Sequence, residues 1–367
     1  MEPLLYRGKF AEAVVMIDDI EMEAVTQIYQ FLNHPAFEGA KIVIQPDCHA
    51  GAGAVIGFTS TLTDKIIPNV IGVDIGCGVL AYKLGKLDID FKELDAFLRK
   101  NIPSGFSVHN TSLIKEYAEF EQAAEETEQD TSRVLRSLGT LGGGNHFIEL
   151  DKDDNEEVWL VIHSGSRNFG LKIAQYHQAK AVKTVGKGHG LEWLEGDDAE
   201  YYLQHMKVAQ HFASFNRKLM ADILLTVFFR MALPLTKVES VHNYINFKDK
   251  IIRKGAISAH KDERVIIPWN MRDGIIIGKG KGNPNWNYSA PHGAGRIMGR
   301  GAAKRTLDLD DFKKAMEGIW TSCVSQETID ESPFVYKDYR KIRDVIQDTV
   351  DIEFTLKPIF NFKASHG

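Results

Sequence analysis

The chain has 367 residues, 44% of them hydrophobic and 26% charged, with a formal net charge of −6 and three cysteines. That length can bury a large core, the composition is that of a folded globular chain, and the acidic balance excludes a generally basic nucleic-acid coat while leaving room for local basic patches. Cys48, Cys77 and Cys323 are too few and too far apart for a disulfide framework or a CxxC zinc knuckle, and no run approaches the roughly 20 apolar residues of a membrane span.

Residues 1–7 carry no signal-peptide pattern, so a cytoplasmic protein is expected. To about residue 36 the chain reads as a short strand and a helix, with Met22, Val25, Ile28 and Leu32 at helical spacing. Residues 41–46 read as a buried strand that delivers Asp47, Cys48 and His49 onto a loop of small residues, a common place for chemistry in α/β proteins. The apolar run 70–80 then sets Asp74 and Cys77 among glycines. A carboxylate in that setting is costly unless it is paired or bound to a cation, which favours a metal ligand over an inert buried thiol at Cys77. Residues 88–137 read as helical and acidic, with a solvated face.

The stretch 139–149 organises the chain. Gly142, Gly143 and Gly144 free the backbone to approach a ligand, and Asn145, His146 and Glu149 follow at once; the plainer alternative is a tight turn into a strand. Residues 151–157 read as a hairpin loop, and 158–162 as a strand ending at His163. Residues from about 168 to 232 read as a helical insertion, with His177, His189, His205 and His211 as surface or packing histidines. His242 and Asn243 come next, followed by a basic segment at 248–255 that either clamps phosphates or forms a solvated hairpin. Residues 265–277 read as strand, turn, strand, and the glycines and lysines at 278–282 lack Walker spacing. His292 stands among small residues, with Arg296 close by and a helix carrying Arg300, Lys304 and Arg305 beyond, a setting for phosphate binding or attack on phosphorus. A last strand is expected at 352–358.

Asp74, Cys77, His146, His163 and His242 form a ligand set of four soft or borderline donors and one hard one. With the thiolate bridging, it could hold two divalent transition ions, Mn²⁺ or Zn²⁺ rather than Mg²⁺, and paired ions suit displacement at phosphorus. The residues involved are scattered from Asp47 to His292 with no linker or internal repeat between them, so one large α/β domain is expected.

Seven motifs, in order, make the chain similar to the RtcB family of RNA ligases over nearly its whole length. They are Val73-Asp-Ile-Gly-Cys-Gly78, Leu141-Gly-Gly-Gly-Asn-His-Phe-Ile-Glu149, His163-Ser-Gly-Ser-Arg167, Val241-His-Asn243, Arg253-Lys-Gly-Ala256, His292-Gly-Ala-Gly-Arg296 and Asp330-Glu-Ser-Pro-Phe-Val-Tyr-Lys337. The resemblance implies an α/β (α+β) fold, a single RtcB-like catalytic domain over 1–367 with mixed β-sheets at its core, and two Mn²⁺ ions and GTP as cofactors. It implies that Cys77 bridges the ions, Asp74 and His146 completing one site and His163 and His242 the other. His292 is the implied nucleophile toward the α-phosphate of GTP, with Asp47 and Arg296 beside it as catalytic residues. The implied nucleotide contacts are Asn145, Phe147, Glu149, Asn243, Ala294, Gly295, Tyr336 and Lys363, with Glu149 accepting guanine N–H groups and Tyr336 stacking on the base. Arg167, Arg296 and Arg300 are candidates for RNA phosphate contacts.

The implied reaction joins RNA 3′-phosphate or 2′,3′-cyclic phosphate ends to 5′-hydroxyl ends through a histidine-guanylate, in RNA repair or tRNA splicing. The implied partners are that RNA and archease, with no membrane and a monomer as the working form. The ligand set taken without His292 supports an alternative, a dinuclear metal-dependent RNA-end phosphatase or cyclic phosphodiesterase that does not use GTP. Two stretches depart from the family: Pro268-Trp-Asn-Met-Arg-Asp-Gly274 stands where Pro-Gly-Ser-Met-Gly is usual near the guanine, and Pro46-Asp-Cys-His49 where Pro-Asp-Val-His is usual.

Overall fold

A computed structural model describes residues 3–364. In chain order its strands are β1 (Leu4–Arg7), β2 (Glu12–Val15), β3 (Lys41–His49), β4 (Ile56–Thr61), β5 (Gly78–Gly85), β6 (Phe147–Lys152), β7 (Val158–Ser164) and β8 (Lys237–Val241). They continue with β9 (Asn243–Asn246), β10 (Ile251–Lys254), β11 (Ala256–Ser258), β12 (Arg264–Asn270), β13 (Gly274–Gly280), β14 (Ser289–Pro291) and β15 (Val350–Lys363). A six-stranded sheet has the order β1-β2-β3-β4-β10-β9, a seven-stranded sheet the order β12-β13-β15-β6-β7-β5-β8, and β11 pairs with β14. Only β2 and β3 run parallel among the pairs; with the helices this is the expected α/β (α+β) class with mixed sheets.

Strand periodicity explains how the seven-stranded sheet builds a site. β7 is buried at every position, so both of its faces are covered and it reads as a continuous apolar run. On one face Leu80, Ile148, Leu150, Leu160 and Ile162 pack with Met220 and Leu224 from the long helical segment. On the other, Val79, Ala81, Trp159, Val161, Val238, Ile266, Ile275, Ile277 and Leu356 form a separate apolar cluster. The sheet curls until β12 meets β8, where the Ile266 N–H donates to Ser240 Oγ at 3.1 Å, so this second face becomes the inside of a barrel-like enclosure. The same parity carries Cys77, Phe147, His163, His242, Pro268 and Lys363 toward one end of that enclosure.

The segment expected to be helical contains helices Arg167–Val185 and Asp197–Ile223 and a π turn at Leu224–Phe228. Several local expectations change. Two strands precede the helix Met22–Leu32, whose buried stripe is Ala24, Ile28, Phe31 and Leu32, while Met22 is exposed. β3 continues past Pro46 because His49 pairs with Ile56 after a bulge, so Asp47 and Cys48 lie in strand backbone and not on a loop. The run 70–80 divides into a helical turn, Pro68–Ile71, a bend bearing Asp74, and the start of β5.

Asp151 and Lys152 belong to β6, not to the hairpin loop, and Asp151 is fully buried. The basic segment forms a hairpin between β9 and β10 with Lys248 and Lys250 exposed in its turn, while its last two cations point inward. Arg253 is buried against Asp249 at 2.8 Å, and the buried Lys254 donates from Nζ to the Ala54 carbonyl at 3.0 Å. The final strand runs to Lys363, which brings Asn361 and Lys363 into the sheet. Among the described residues no helix is long and apolar enough to cross a membrane.

Candidate metal centre and reaction pocket

The end of the enclosure opens into a cavity of about 780 Å³ whose walls include Cys77, Glu149, His163, His242, His292 and Tyr336. Two trios of ligand atoms meet there and share one residue: Asp74, Cys77 and His146 in one, Cys77, His163 and His242 in the other, with the atoms of each trio within 4.8 Å of one another. Cys77 Sγ lies 3.4 Å from His146 Nε2 and 3.3 Å from His163 Nε2, His163 Nε2 lies 3.2 Å from His242 Nε2, and His146 Nε2 lies 3.0 Å from Asp74 Oδ2.

The backbone fixes which nitrogen of each ring is free. His146 Nδ1 is 2.9 Å from the Leu141 carbonyl and His163 Nδ1 is 3.1 Å from the Asn145 carbonyl, contacts that require Nδ1–H and turn Nε2 toward the ligand cluster. Burial, followed by the neighbouring cationic groups, lowers His163 and His242 well below the ordinary histidine range, so they stay neutral. Burial and then the Asp74 charge push the Cys77 thiol well above its usual range. Lone pairs, a thiol sulfur and a carboxylate facing one another at such distances repel on their own and are complementary around cations. The residues present therefore fit a pair of borderline-soft divalent ions sharing one thiolate.

Glycines allow the close approaches. A Cβ on Gly165 would stand 2.0 Å from Asp74 Oδ1, so the bend after His163 can pass Asp74 only without a side chain. Gly295 has φ +74° and a Cβ there would meet the Asp47 carbonyl at 2.2 Å, which holds the segment after His292 against β3.

His292 follows β14 and its ring lies 4.8 Å, centroid to centroid, from that of His242. Its Nδ1 is 2.7 Å from Oδ2 of the fully buried Asp47. Asn243 joins two parts of the site, donating from Nδ2 to the Asp74 carbonyl at 3.3 Å and accepting the Gly255 N–H at 2.9 Å. Phe147, Ala294 and Gly295 line the cavity, with Lys363 Nζ 5.3 Å from the centre of the Phe147 ring and 3.3 Å from the Asn145 carbonyl. Glu149 is buried at the wall and accepts a hydrogen bond from Asn361 Nδ2.

On the opposite wall Glu331 is a hub. It accepts from Tyr336 Oη at 2.8 Å and pairs with Arg300 at 2.5 Å, Arg296 at 3.3 Å and Lys363 at 3.5 Å. Burial opposes its charge, but Lys363, Arg300 and Arg296 outweigh that and hold its carboxyl down at about 2. Arg296 also donates to the Asp330 carbonyl at 2.7 Å and covers the Tyr336 ring at 5.4 Å, so most of its donors are engaged inside the wall. Arg167 is likewise engaged, donating to Thr140 Oγ1 at 3.2 Å and the Gly105 carbonyl at 2.7 Å, while Arg300 remains partly open at the cavity rim.

The sequence reading missed Glu331, Asn361, Asp151 and the adjacent pair Asn216 and Arg217. Asn216 Oδ1 accepts the N–H groups of Gly139 and Thr140, and its Nδ2 donates to Thr140 O, Ser164 Oγ and Gly165 O. Arg217 donates to the carbonyls of Gly76 and Ser164. The one available signal was a polar pair inside an otherwise helical apolar pattern. His177 and His205, read as surface or packing histidines, are buried; His177 Nε2 lies 2.8 Å from His205 Nδ1, and His205 Nε2 2.8 Å from Glu126 Oε2.

A family model described as tRNA-splicing ligase RtcB matches residues 27–127 and 108–364. RNA-splicing ligase RtcB of Escherichia coli strain K12 is 31% identical, over 94% of this chain and 95% of the relative. RNA-splicing ligase RtcB2 of Escherichia coli strain ATCC 25922 is 28% identical over 99% and 98%, and tRNA-splicing ligase RtcB of Aeropyrum pernix 26% identical over 91% and 90%.

Proposed function

This chain belongs to the RtcB family of RNA ligases, and from that premise we propose that it uses GTP to join RNA 3′-phosphate or 2′,3′-cyclic phosphate ends to 5′-hydroxyl ends through a guanylate on His292. The observation that carries this reading is the His292–Asp47 contact of 2.7 Å beside two ligand trios that share Cys77. A dinuclear hydrolase draws its nucleophile from water and does not require one from a histidine.

Asp47 accepts the Nδ1–H of His292, which leaves Nε2 as the nucleophilic lone pair. Attack on the α-phosphorus of GTP forms the N–P bond and releases pyrophosphate. An oxygen of the RNA 3′-phosphate then attacks the same phosphorus, breaks the N–P bond and returns the pair to His292. The 5′-hydroxyl finally attacks the activated 3′-phosphorus and releases GMP. A 3′-phosphate monoester is a poor electrophile without such a leaving group. Mn²⁺ ions, one on Asp74, Cys77 and His146 and one on Cys77, His163 and His242, would supply charge neutralisation at the phosphates.

In the same proposal Asn145, Phe147, Glu149, Asn243, Ala294, Gly295, Tyr336 and Lys363 hold the nucleotide. Glu149 accepts guanine N–H groups, and Arg300 faces RNA phosphates from the cavity rim with Arg296 and Arg167 behind it. RNA repair or tRNA splicing is the setting, archease the activating partner and a monomer the working form.

The test is incubation with Mn²⁺ and α-labelled GTP. Acid-labile label should appear on the wild type and be absent from His292→Ala and Cys77→Ala. A wild type that binds metal and takes no label, with RNA-end hydrolysis persisting in His292→Ala, would overturn the ligase reading in favour of a dinuclear hydrolase.

A further inference from the structure

Glu149 and Asp151 stand two residues apart on β6 and so share a face, the one that carries Phe147 into the enclosed apolar cluster. Glu149 is 2% exposed at the cavity wall and Asp151 is 0% exposed. Their neighbours across the sheet are Val161 and Trp159 on β7, and Asn361 and Pro358 on β15. Asn361 donates to Glu149, whereas neither oxygen of Asp151 receives a hydrogen bond from any N–H or hydroxyl among the described residues. The hydrogen-bonding partner left to Asp151 is the Glu149 carboxyl.

Two adjacent carboxylates cannot both stay ionised in an apolar enclosure, because each is costly to bury and each repels the other. One proton between them removes the repulsion and satisfies the otherwise unpaired acid. The surroundings decide where it sits. Glu149 faces the Asn361 amide and the Lys363 ammonium from β15; from β7 the pair meets Val161 and Trp159, with His163 beyond Val161 on the same face, and among the described residues no hydrogen-bond donor reaches Asp151. Burial raises both carboxyls, and Asp151 further because the Glu149 charge adds to the effect.

We propose that Asp151 is a positioning residue for nucleotide recognition: as a neutral acid it donates its O–H to Glu149 and keeps Glu149 an anionic acceptor for the adjacent N–H donors of a guanine-type base. This rests on the reading of Glu149 as a base contact. The pair makes the site demand donors on the base edge, and a base with an acceptor there meets a buried negative charge.

Two variants separate this role from packing. Asp151→Asn keeps an N–H donor toward Glu149; Asp151→Leu removes it and leaves an apolar group of similar size in an apolar enclosure. In self-guanylylation, Asp151→Asn should keep the KM for GTP within about twofold of wild type, while Asp151→Leu should raise it roughly tenfold or more near neutral pH with kcat little changed. In the Leu variant Glu149 must hold its own proton, so the KM defect should shrink as pH rises. Equal KM values for the two variants, or a wild-type KM in Asp151→Leu, would overturn the proposal.

A second measurement does not involve nucleotide. The infrared difference between wild type and Asp151→Asn at neutral pH should contain the C=O stretch of a neutral carboxylic acid, and its absence would overturn the proton assignment. A wild type that shows the band and yet takes no label from GTP would overturn the guanine role and leave the carboxyl pair standing, so the two failures are distinguishable.

Discussion

The Nδ1 atom of His292 lies 2.7 Å from Oδ2 of Asp47, and Asp47 has no exposed surface. A buried acceptor on Nδ1 fixes both the orientation of the ring and its tautomer, which leaves Nε2 as the lone-pair nitrogen available to the proposed reaction. Replacing Asp47 with Ala removes that acceptor and frees the ring. Label transfer from GTP to the protein should slow by roughly a hundredfold or more, while Mn²⁺ stoichiometry stays that of the wild type. A variant that labels at the wild-type rate would remove Asp47 from the reaction.

If Cys77 bridges two ions as proposed, the ligands are unequal in their response to mutation. Cys77 belongs to both ligand trios, whereas His146 belongs to one and His242 to the other. Titration calorimetry with Mn²⁺ should therefore lose one binding event in His146→Ala and one in His242→Ala. In Cys77→Ala both should weaken together. Independent loss of a single ion in Cys77→Ala would show that the sulfur serves only one position.

Glu331 ties acid stability to the architecture of the pocket. Its carboxyl is lowered from 4.5 to about 2 in the folded chain, against burial, by Lys363, Arg300 and Arg296. A depressed folded-state value means that the stabilisation is complete above about 4.5 and drains away as pH falls from there toward 2. Such a shift corresponds to a stability contribution on the order of 3 kcal/mol. Calorimetric unfolding of Glu331→Gln should show a lower melting temperature at neutral pH and a flatter acid limb over that window. An acid limb parallel to that of the wild type would assign the pH dependence to other carboxylates.

The candidate metal ligands were legible in the sequence because each sits beside small residues where the chain can bend closely around a ligand. Asp74 and Cys77 lie among glycines, His146 follows three of them, and His163 precedes Ser164-Gly165. Their donor types already grouped them into one set; what was not legible is how the fold brings them together, since that depends on the curl that brings β12 to β8 and turns one face of a sheet into an interior. Glu331 lies inside the motif 330–337 without a role that its local sequence assigns, and it becomes a buried hub through Arg296, Arg300 and Tyr336 together with Lys363 at the end of the long final strand. Asp151 opens an acidic run that looks like a hairpin loop; its burial follows from being in phase with Phe147 and Glu149 on β6. Local composition shows which residues can carry chemistry, whereas strand phase and sheet closure decide which of them face one another.

Asn216 and Arg217 occupy consecutive positions on the helix Asp197–Ile223 and hold three bends of the metal centre at once. Asn216 spans the bend before His146 and the one after His163, with contacts of 2.8 Å to the Gly139 N–H and 3.2 Å to the Gly165 carbonyl. Arg217 reaches the Gly76 and Ser164 carbonyls at 2.8 Å each, its charge balanced by Glu239 at 3.0 Å. Both side chains are fully buried, so Asn216→Ala strands backbone N–H groups and should cost roughly 2–4 kcal/mol in urea unfolding of the metal-free protein. Arg217→Met leaves Glu239 without its buried partner and should cost roughly 3–5 kcal/mol. Because the two residues share the Ser164 bend, the double variant should lose less than the sum of the single losses. It should also bind Mn²⁺ more weakly than either single variant at temperatures where all three remain folded. Strictly additive losses with unchanged Mn²⁺ affinity would mean that the helix supports the fold without shaping the metal centre.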